Sequence, residues 1–209
     1  MNDTKKDIIK RTLSLVIERG LKTSMDEIAQ SLCVSKRTIY EHFENKDDLI
    51  YHCIDSMIEE GFEGINEMLL KTSNPIEELF PILHENVRQI YGHRFKILDE
   101  LKRIYPAIHE ACLVKHKEQY YSRLKDVISR GKKEGLFRKD IHEEIIIFYM
   151  PIISTALSSQ KITLSENYSM KDVFSNIMVP FMRGMLTEKG VVIFDKIITK
   201  FKKYTPELQ

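Results

Sequence analysis

Side chains that donate hydrogen bonds are concentrated between residues 35 and 46. They belong to Ser35, Lys36, Arg37, Thr38, Tyr40, His42 and Lys46. Ammonium and hydroxyl groups bind phosphate oxygens, and a guanidinium can contact guanine O6 and N7 as a two-pronged donor. Ser24 adds a further hydroxyl upstream. The chemistry that this stretch predicts is contact with the backbone and the base edges of double-stranded DNA.

A short helix before this stretch is indicated by its capping residues and its apolar spacing. Ser24 and Glu27 have the spacing of a capping box, in which the hydroxyl accepts from the Glu27 amide and the carboxylate reaches back. Ile28 and Leu32 follow four residues apart and therefore share one face of the helix. We expect this face to pack against the helix that carries the donors.

A second short helix carries the donors themselves. Cys33 begins a tight turn, and Ser35 is placed to cap the helix that follows. Ile39 and Phe43 lie four residues apart and give this helix a buried face, which leaves the donors on the outside. The two helices and their turn have the pattern of a helix-turn-helix.

Consecutive amphipathic helices also occur in helical bundles that never contact DNA, so the residues around the pair have to decide between the two interpretations. A helix over residues 4–19 ends at Gly20, and Asn45 is placed to cap a further helix. Residues 5–52 as a whole resemble the DNA-binding domain of the TetR family of transcriptional regulators. The motifs that carry the resemblance are Thr23-Ser-Met-Asp-Glu-Ile-Ala29, Val34-Ser-Lys36, Thr38-Ile-Tyr40, His42-Phe43 and Lys46-Asp-Asp-Leu49.

The resemblance implies an all-α protein with two domains. Residues 1–50 would form an N-terminal three-helix helix-turn-helix DNA-binding domain, and residues 51–209 a C-terminal helical regulatory domain for ligand binding and dimerisation. The implied function is that of a homodimeric repressor that a small apolar or aromatic effector releases from a palindromic operator. The implied DNA contacts are Ser24, Ser35, Lys36, Arg37, Thr38, Tyr40, His42 and Lys46, the last on a phosphate. The alternative is a DNA-bound interaction protein whose C-terminal domain binds a protein partner instead of a small molecule.

Two residues depart from the family pattern. The family usually has glycine in the turn, where φ is often positive, and this chain has Cys33. A side chain in that conformation costs about 1 kcal/mol and does not exclude the turn. The family also commonly has a small residue after the lysine of the recognition helix, where this chain has Arg37. Because a guanidinium can read guanine directly, Arg37 predicts a different operator sequence and the same fold.

Bulk charge gives no support for DNA binding. The formal net charge is +1 at pH 7, and the nine basic residues within 1–52 are matched by nine acidic ones. The acids at positions 26, 27, 47 and 48 fall in the first turns of predicted helices, where they complement the helix dipole. The prediction therefore depends on where the cations are placed and not on their number.

The composition is typical of a soluble helical protein, with 43% hydrophobic and 30% charged residues and only 8 Gly and 6 Pro in 209 residues. No apolar run reaches the roughly 18 residues that a membrane span needs. The first residues lack the hydrophobic segment of an export signal. Cys33, Cys53 and Cys112 form no Cys-x-x-Cys pair. We expect a cytoplasmic protein with reduced thiols and no membrane contact.

Apolar periodicity and the positions of proline and glycine predict the remaining helices. They cover residues 46–71, a segment from Asn74-Pro75 onward, 82–91, 93–105, 107–133, 140–159 with a capping pattern at Asp140 and a kink at Pro151, 169–188 and 191–204. In the helix 107–133 the expected buried residues are Leu113, Tyr120, Leu124 and Val127. The helices 140–159 and 169–188 lack a polar face, which predicts burial against the core on one side and a second subunit on the other.

A pocket for the effector is expected within the second domain, because the resemblance implies one. Its candidate lining residues are Phe80, His84, Tyr91, Phe95, Tyr105, Cys112, His116, Tyr120 and Phe148. Aromatic residues supply apolar walls, and a few polar groups orient a ligand. The competing interpretation of each of these residues is an ordinary place in the hydrophobic core.

No arrangement of residues predicts catalysis. The chain has no Gly-x-Ser-x-Gly, no Walker A motif and no Gly-x-Gly-x-x-Gly, so we expect a protein that is not an enzyme and needs no cofactor. His109, Cys112 and His116 fall on one stripe of a helix, with ligand types that suit zinc or copper. A single helix rarely supplies three ligands with good geometry, and we therefore expect no metal there.

Overall fold

The computed structural model is built from α-helices, which confirms the predicted fold class. It describes residues 3–82, 93–149, 172 and 174–204. The helices are α1 (Asp3–Arg19), α2 (Met25–Leu32), α3 (Lys36–Tyr40), α4 (Lys46–Leu69), α5 (75–82), α6 (His93–Ile104), α7 (Pro106–Lys133), α8 (143–149), α9 (Val179–Met185) and α10 (Glu188–Tyr204). A π-helical segment, Phe174–Met178, precedes α9. The predicted helix at 82–91 and the kink at Pro151 lie outside the described residues, except for Ile82, the last described residue of α5.

The first three helices enclose an apolar core that holds the recognition helix in place. Val16 of α1, Leu21 of the following loop, Ile28 of α2 and Ile39 of α3 are all 0% exposed. Full burial of a side chain of this size contributes about 1.5–3 kcal/mol each. Phe43 is also buried, as the spacing of Ile39 and Phe43 predicts. The exposed side of α3 is therefore set by tight packing on its other side.

The turn between α2 and α3 contains a left-handed residue. Cys33 has φ +55° and ψ +39°, and it is the only residue other than glycine with positive φ in the described part of the chain. Its amide donates to the Gln30 carbonyl at 3.1 Å, and the Val34 amide donates to the Ala29 carbonyl at 3.0 Å. These two bonds end α2 as a Schellman motif. The prediction that the turn tolerates cysteine at a position usually held by glycine is confirmed.

The chain divides into two compact units. One joins Met1–Gly64 to Gly92–Glu118, and the other joins Ile65–Tyr91 to Gln119–Gln209. The core of the first unit includes Ile97 and Leu101 of α6 and Cys112 of α7 together with the helix-turn-helix. Residues from later helices thus complete the core beneath the DNA-binding motif. The functional boundary after residue 50 stays a prediction.

The second unit is held by a bidentate ion pair and by ring stacking. Asn74 accepts from the Ile76 and Glu77 amides at 3.1 and 3.0 Å, so α5 starts at Pro75 as predicted. Glu78 of this helix binds the Arg130 guanidinium of α7 with both oxygens. The predicted burial of Leu124 and Val127 on α7 is confirmed. Phe80 stacks on Phe194 with ring centroids 5.7 Å apart.

Three predicted details are wrong. Leu113 is 54% exposed, because the inward stripe of α7 at this point passes through Cys112 and His116, four residues apart. Asp140 does not cap α8, since its carboxylate binds Arg138 and the helix begins at Glu143. The predicted helix 169–188 breaks after Met185. Thr187 explains the break, because its hydroxyl accepts from the Gly190 amide at 3.1 Å and so starts α10.

No helix within the described ranges is long and apolar enough to cross a membrane.

Candidate nucleic-acid interface

Helix α3 starts at a hydroxyl cap. The Ser35 Oγ accepts from the Thr38 amide at 3.0 Å and lies 2.9 Å from the Thr38 Oγ1. The cap satisfies a backbone donor that an α-helix leaves unpaired at its first turn. The two hydroxyls are therefore bonded to each other in the free protein. Each keeps hydrogen-bonding capacity for a phosphate, because a hydroxyl both donates and accepts.

The outer face of α3 presents the cations and the tyrosine that the sequence predicts for DNA contact. The Arg37 side chain is 90% exposed, the Lys36 side chain 50%, and Tyr40 50%. Arg37 lies 3.4 Å from the Glu41 carboxylate, and Lys36 lies 2.9 Å from Asp26. The hydrogen bond from Lys36 to Asp26 raises the pKa of the lysine. Both pairs are in solvent, where salt screens them, so phosphates can replace the carboxylates.

Ser24 forms the predicted capping box at the start of α2. The Glu27 amide donates to the Ser24 Oγ at 3.3 Å, and the Ser24 amide and hydroxyl both donate to the Glu27 carboxylate at 2.7 Å. These bonds lower the pKa of Glu27, the backbone bond most strongly. Ser24, which is the cap, is itself exposed. Its primary role in the free protein is to start the helix, and a DNA contact would be additional.

Lys46 is more constrained than the sequence indicates. Its ammonium donates to the Leu21 carbonyl at 2.9 Å and lies 5.8 Å from the ring centroid of Tyr105. An ammonium has three N–H donors, so those not used by Leu21 remain for a phosphate. His42 is the other candidate at this end of the motif, and its side chain is half-buried. All eight predicted positions belong to the first compact unit. On α3, the exposed side chains among them are those of Lys36, Arg37 and Tyr40.

Residues 8–53 match the family described as bacterial regulatory proteins of the tetR family. This segment of the chain is therefore a DNA-binding segment of the tetR family. The matched segment covers the helix-turn-helix and the first turns of α4. The chain is thus a DNA-binding transcriptional regulator, in agreement with the exposed donors on α3.

Similarity to known regulators extends beyond the DNA-binding motif. The transcriptional repressor KstR2 of Mycobacterium tuberculosis is 21% identical over 150 residues, which cover 70% of this chain and 75% of KstR2. A TetR transcription regulator from Haloarcula marismortui has a TM-score of 0.75 at 20% identity, over 90% of this chain and all of that one (100%). AibR, solved with isovaleryl coenzyme A and operator DNA, has a TM-score of 0.57 at 20% identity, over 78% and 90%. At these identities the solved structures establish a shared fold.

The candidate pocket residues fall in different surroundings. Tyr105, Cys112 and His116 belong to the first compact unit, whereas Phe80, Tyr120 and Phe148 belong to the second. Phe80 is buried against Phe194, Tyr120 is half-buried, and Phe148 is 63% exposed. His84, Tyr91 and the side chain of Phe95 lie outside the described residues. Phe148 is thus a surface residue of the single chain, since the inward position of α8 is taken by Ile147. The pocket as a whole stays a prediction.

His116 contacts a buried carboxylate, which sequence spacing did not reveal. Its Nε2 lies 2.8 Å from the Asp55 Oδ1, and the Lys115 ammonium lies 2.6 Å from the Asp55 Oδ2. Burial acts to raise the pKa of Asp55, but the hydrogen bonds from Lys115 and His116 outweigh it and the pKa lies below its ordinary value. Phe62 stacks on the imidazole with centroids 5.7 Å apart. Asp55 therefore joins α4 to α7.

The histidine-cysteine stripe does not converge on a metal site in the structure. Among the described residues, no group of three or more His, Cys, Asp or Glu side chains is arranged to hold a metal ion. His116 is turned toward Asp55, and burial raises the pKa of the Cys112 thiol to about 11. Burial also lowers the pKa of His109.

Proposed function

We propose that this chain is a homodimeric repressor that binds a palindromic operator and leaves it when a small apolar or aromatic effector binds within residues 51–209. The observation that carries the proposal is the outer face of α3, where Arg37 is 90% exposed on the side chain while Ile39, two residues later, is 0% exposed. A guanidinium held clear of the surface on a rigidly packed helix is suited to reach a major groove.

Arg37 supplies direct readout of a base in this proposal, and the other donors orient the protein on the phosphate backbone. Ser35, Lys36, Thr38, Tyr40 and His42 lie on or beside α3, and Ser24 and Lys46 flank it at the starts of α2 and α4. Phosphate contacts set register and orientation, and base contacts determine sequence preference. The division between the two kinds of contact is therefore testable one residue at a time.

Repression and effector release are supported by the relatives. KstR2 is named a transcriptional repressor, and the AibR structure contains both a small molecule and operator DNA. In the mechanism that we propose, the effector shifts the helix that begins at Lys46, which is the direct covalent connection from the regulatory domain to the recognition helix. The effector weakens DNA binding only by its difference in affinity for the two arrangements, typically about 1–3 kcal/mol.

A homodimer is supported by apolar side chains on the surface of the second unit. Ile145 and Phe148 of α8 are each 63% exposed, Tyr149 is 50% exposed and Ile177 is 42% exposed. An apolar surface of this kind marks a protein contact. A second copy of the chain would cover it and place two α3 helices about 34 Å apart, or a multiple of that spacing, on a two-fold symmetric site. We also propose that the repressor acts in the cytoplasm.

The same surface favours a second candidate function, in which α8 binds a different protein and no small molecule controls DNA binding.

Analytical ultracentrifugation distinguishes the homodimer from the complex with a different protein. The wild-type chain should sediment as a dimer at micromolar concentration, and Phe148→Glu should yield monomers that lose specific DNA binding. Glu144→Gln is the matched control, because the Glu144 side chain is 84% exposed on the same helix. A wild-type monomer would favour the partner protein.

The operator is found by enrichment of random duplex DNA on the wild-type protein. We expect a pseudo-palindromic sequence whose half-sites are separated by whole helical turns. Absence of any enriched sequence would contradict the proposed function.

The effector is then sought among apolar and aromatic molecules that raise the melting temperature of the protein. Calorimetry with and without the enriched duplex should show weaker effector binding in the presence of DNA, because linkage is reciprocal. Equal affinities would mean that the molecule does not control DNA binding.

A further inference from the structure

The loop between α1 and α2 is fixed by a buried leucine. Gly20 ends α1 with φ +90°, and its carbonyl accepts from the Thr23 hydroxyl at 2.8 Å. Leu21 follows and is 0% exposed in the core of the first compact unit. Ser24, which caps α2, comes three residues after Leu21. The position of the Leu21 peptide therefore bears on where α2 begins.

Both polar groups of Leu21 are bound by side chains from distant parts of the same unit. The Leu21 amide donates to the Glu100 Oε2 at 3.1 Å, although the two residues are 79 positions apart. The Leu21 carbonyl accepts from the Lys46 ammonium at 2.9 Å. One charged group thus holds each end of this residue, and charge-assisted hydrogen bonds are the stronger kind. Lys46 is a residue assigned above to phosphate contact.

Packing brings the Glu100 carboxylate to Leu21. Its neighbours on α6, Ile97 and Leu101, are 2% and 0% exposed in the same core as the helix-turn-helix. Gly20 leaves the space that the carboxylate occupies, because a Cβ at Gly20 would lie 3.1 Å from the Glu100 Oε2 and 3.3 Å from its Oε1. The buried face of α6 on one side and a glycine on the other leave the carboxylate little freedom.

We propose that Glu100 is a positioning residue for DNA binding. It lies outside the helix-turn-helix sequence and acts through the Leu21 peptide, which in turn holds the Lys46 ammonium and the start of α2 in the geometry used on DNA. The proposal rests on the DNA-binding function proposed above. It assigns to α6 a direct contact with the DNA-binding motif, in addition to the covalent connection through α4.

Glu100 is tested in the full-length protein with the duplex enriched on the wild type. The variants are Glu100→Ala, which removes the acceptor, Glu100→Gln, which keeps an acceptor oxygen at the same reach, and Glu100→Asp, which keeps the charge and shortens the side chain. Asp99→Ala is the control, since the Asp99 side chain is 53% exposed and pairs with Arg103 on the same helix. Affinity is measured by fluorescence anisotropy at several salt concentrations and circular dichroism checks the fold.

Glu100→Ala and Glu100→Asp should each weaken binding about tenfold, which corresponds to the loss of one hydrogen bond. Their slope of log affinity against log salt should also fall by about 0.9, the value for one phosphate contact, because Lys46 is released. Glu100→Gln should restore most of the affinity, and Asp99→Ala should match the wild type. Binding of Glu100→Ala within twofold of the wild type, or failure of Glu100→Gln to restore binding, would overturn the proposal. A wild type that enriches no duplex would instead refute the proposed function.

Discussion

Two groups of ion pairs in the first compact unit differ in their exposure. On α3, Arg37 pairs with Glu41 through side chains that are 90% and 58% exposed. Between α4 and α7, the Asp55 carboxylate is 12% exposed and pairs with the Lys115 ammonium, and the His116 Nε2 lies 2.8 Å from the same carboxylate. An ion pair in solvent contributes little and exchanges partners easily, whereas a buried one is destabilising to break. The chain thus keeps exchangeable cations where DNA is expected and a fixed cluster where helices have to stay together.

The comparison is tested most strongly by Asp55→Ala. The substitution leaves His116 buried without its acceptor and also removes a partner of Lys115, whose side chain is 43% exposed and so retains some solvent. We expect a loss of about 2–3 kcal/mol in the free energy of unfolding, measured by urea denaturation. Asp7→Ala is the control, because Asp7 is 61% exposed in its pair with Arg11 and should change stability by less than about 0.5 kcal/mol. Equal effects of the two substitutions would show that burial does not separate the two groups.

Arg37→Ala should have the opposite profile to Asp55→Ala. We expect unchanged stability, because the side chain is 90% exposed. If the guanidinium reads a base edge, the free energy of binding to the enriched operator should weaken by about 1–3 kcal/mol. The sequence preference at one base pair should also relax. Titration of operator and random duplexes in parallel measures both effects. Equal losses on the two kinds of DNA would make Arg37 a phosphate contact only.

Lys46→Ala should affect both DNA binding and stability, because the Lys46 side chain is half-buried and donates to the Leu21 carbonyl. It should weaken operator and random DNA by similar factors and reduce the salt slope by about 0.9, the value for one phosphate. Loss of the hydrogen bond to the Leu21 carbonyl should also cost about 1 kcal/mol of stability. Affinity measured between low and moderate salt and a urea titration provide the two values. An unchanged salt slope would remove Lys46 from the DNA contacts.

Acid should affect the buried cluster in a narrow window. Because the pKa of Asp55 lies below its ordinary value in the folded chain, its contribution to stability is fully present above the unfolded pKa of about 4. That contribution is lost as the pH falls from there through the lower folded pKa. Urea titrations at successive pH values should therefore show the difference between wild type and Asp55→Ala shrinking below about pH 4. A constant difference would mean that protonation of Asp55 is not involved.

Local features of the helix-turn-helix were predictable in detail. The capping box of Ser24 and Glu27, the cap at Ser35 and the left-handed residue at Cys33 are all present. The two caps depend on residues within about four positions of one another, so spacing specifies their geometry, whereas the left-handed turn was implied by the family resemblance. The start of α5 after Asn74 was predictable for the same reason.

Features of the later helices were less predictable. Leu113 was expected in the core and is 54% exposed, because the apolar spacing of α7 was compatible with more than one inward stripe. Thr187 starts α10 through contacts with the turn after α7, where its hydroxyl donates to the Gly135 carbonyl at 2.7 Å. That partner is 52 residues away, and no local pattern indicates it.

The amino-acid sequence by itself determined the all-α fold, the helix-turn-helix and the donors on its outer helix. These follow from capping, turn geometry and apolar spacing, which act over a few residues. Only the tertiary structure decided that Glu100 binds Leu21, that Lys46 shares that loop and that Asp55 meets His116 across 61 positions. Such contacts depend on how α4, α6 and α7 pack within one core, and a periodic apolar pattern is compatible with many packings. Burial then makes each contact specific, because a buried polar group requires a partner.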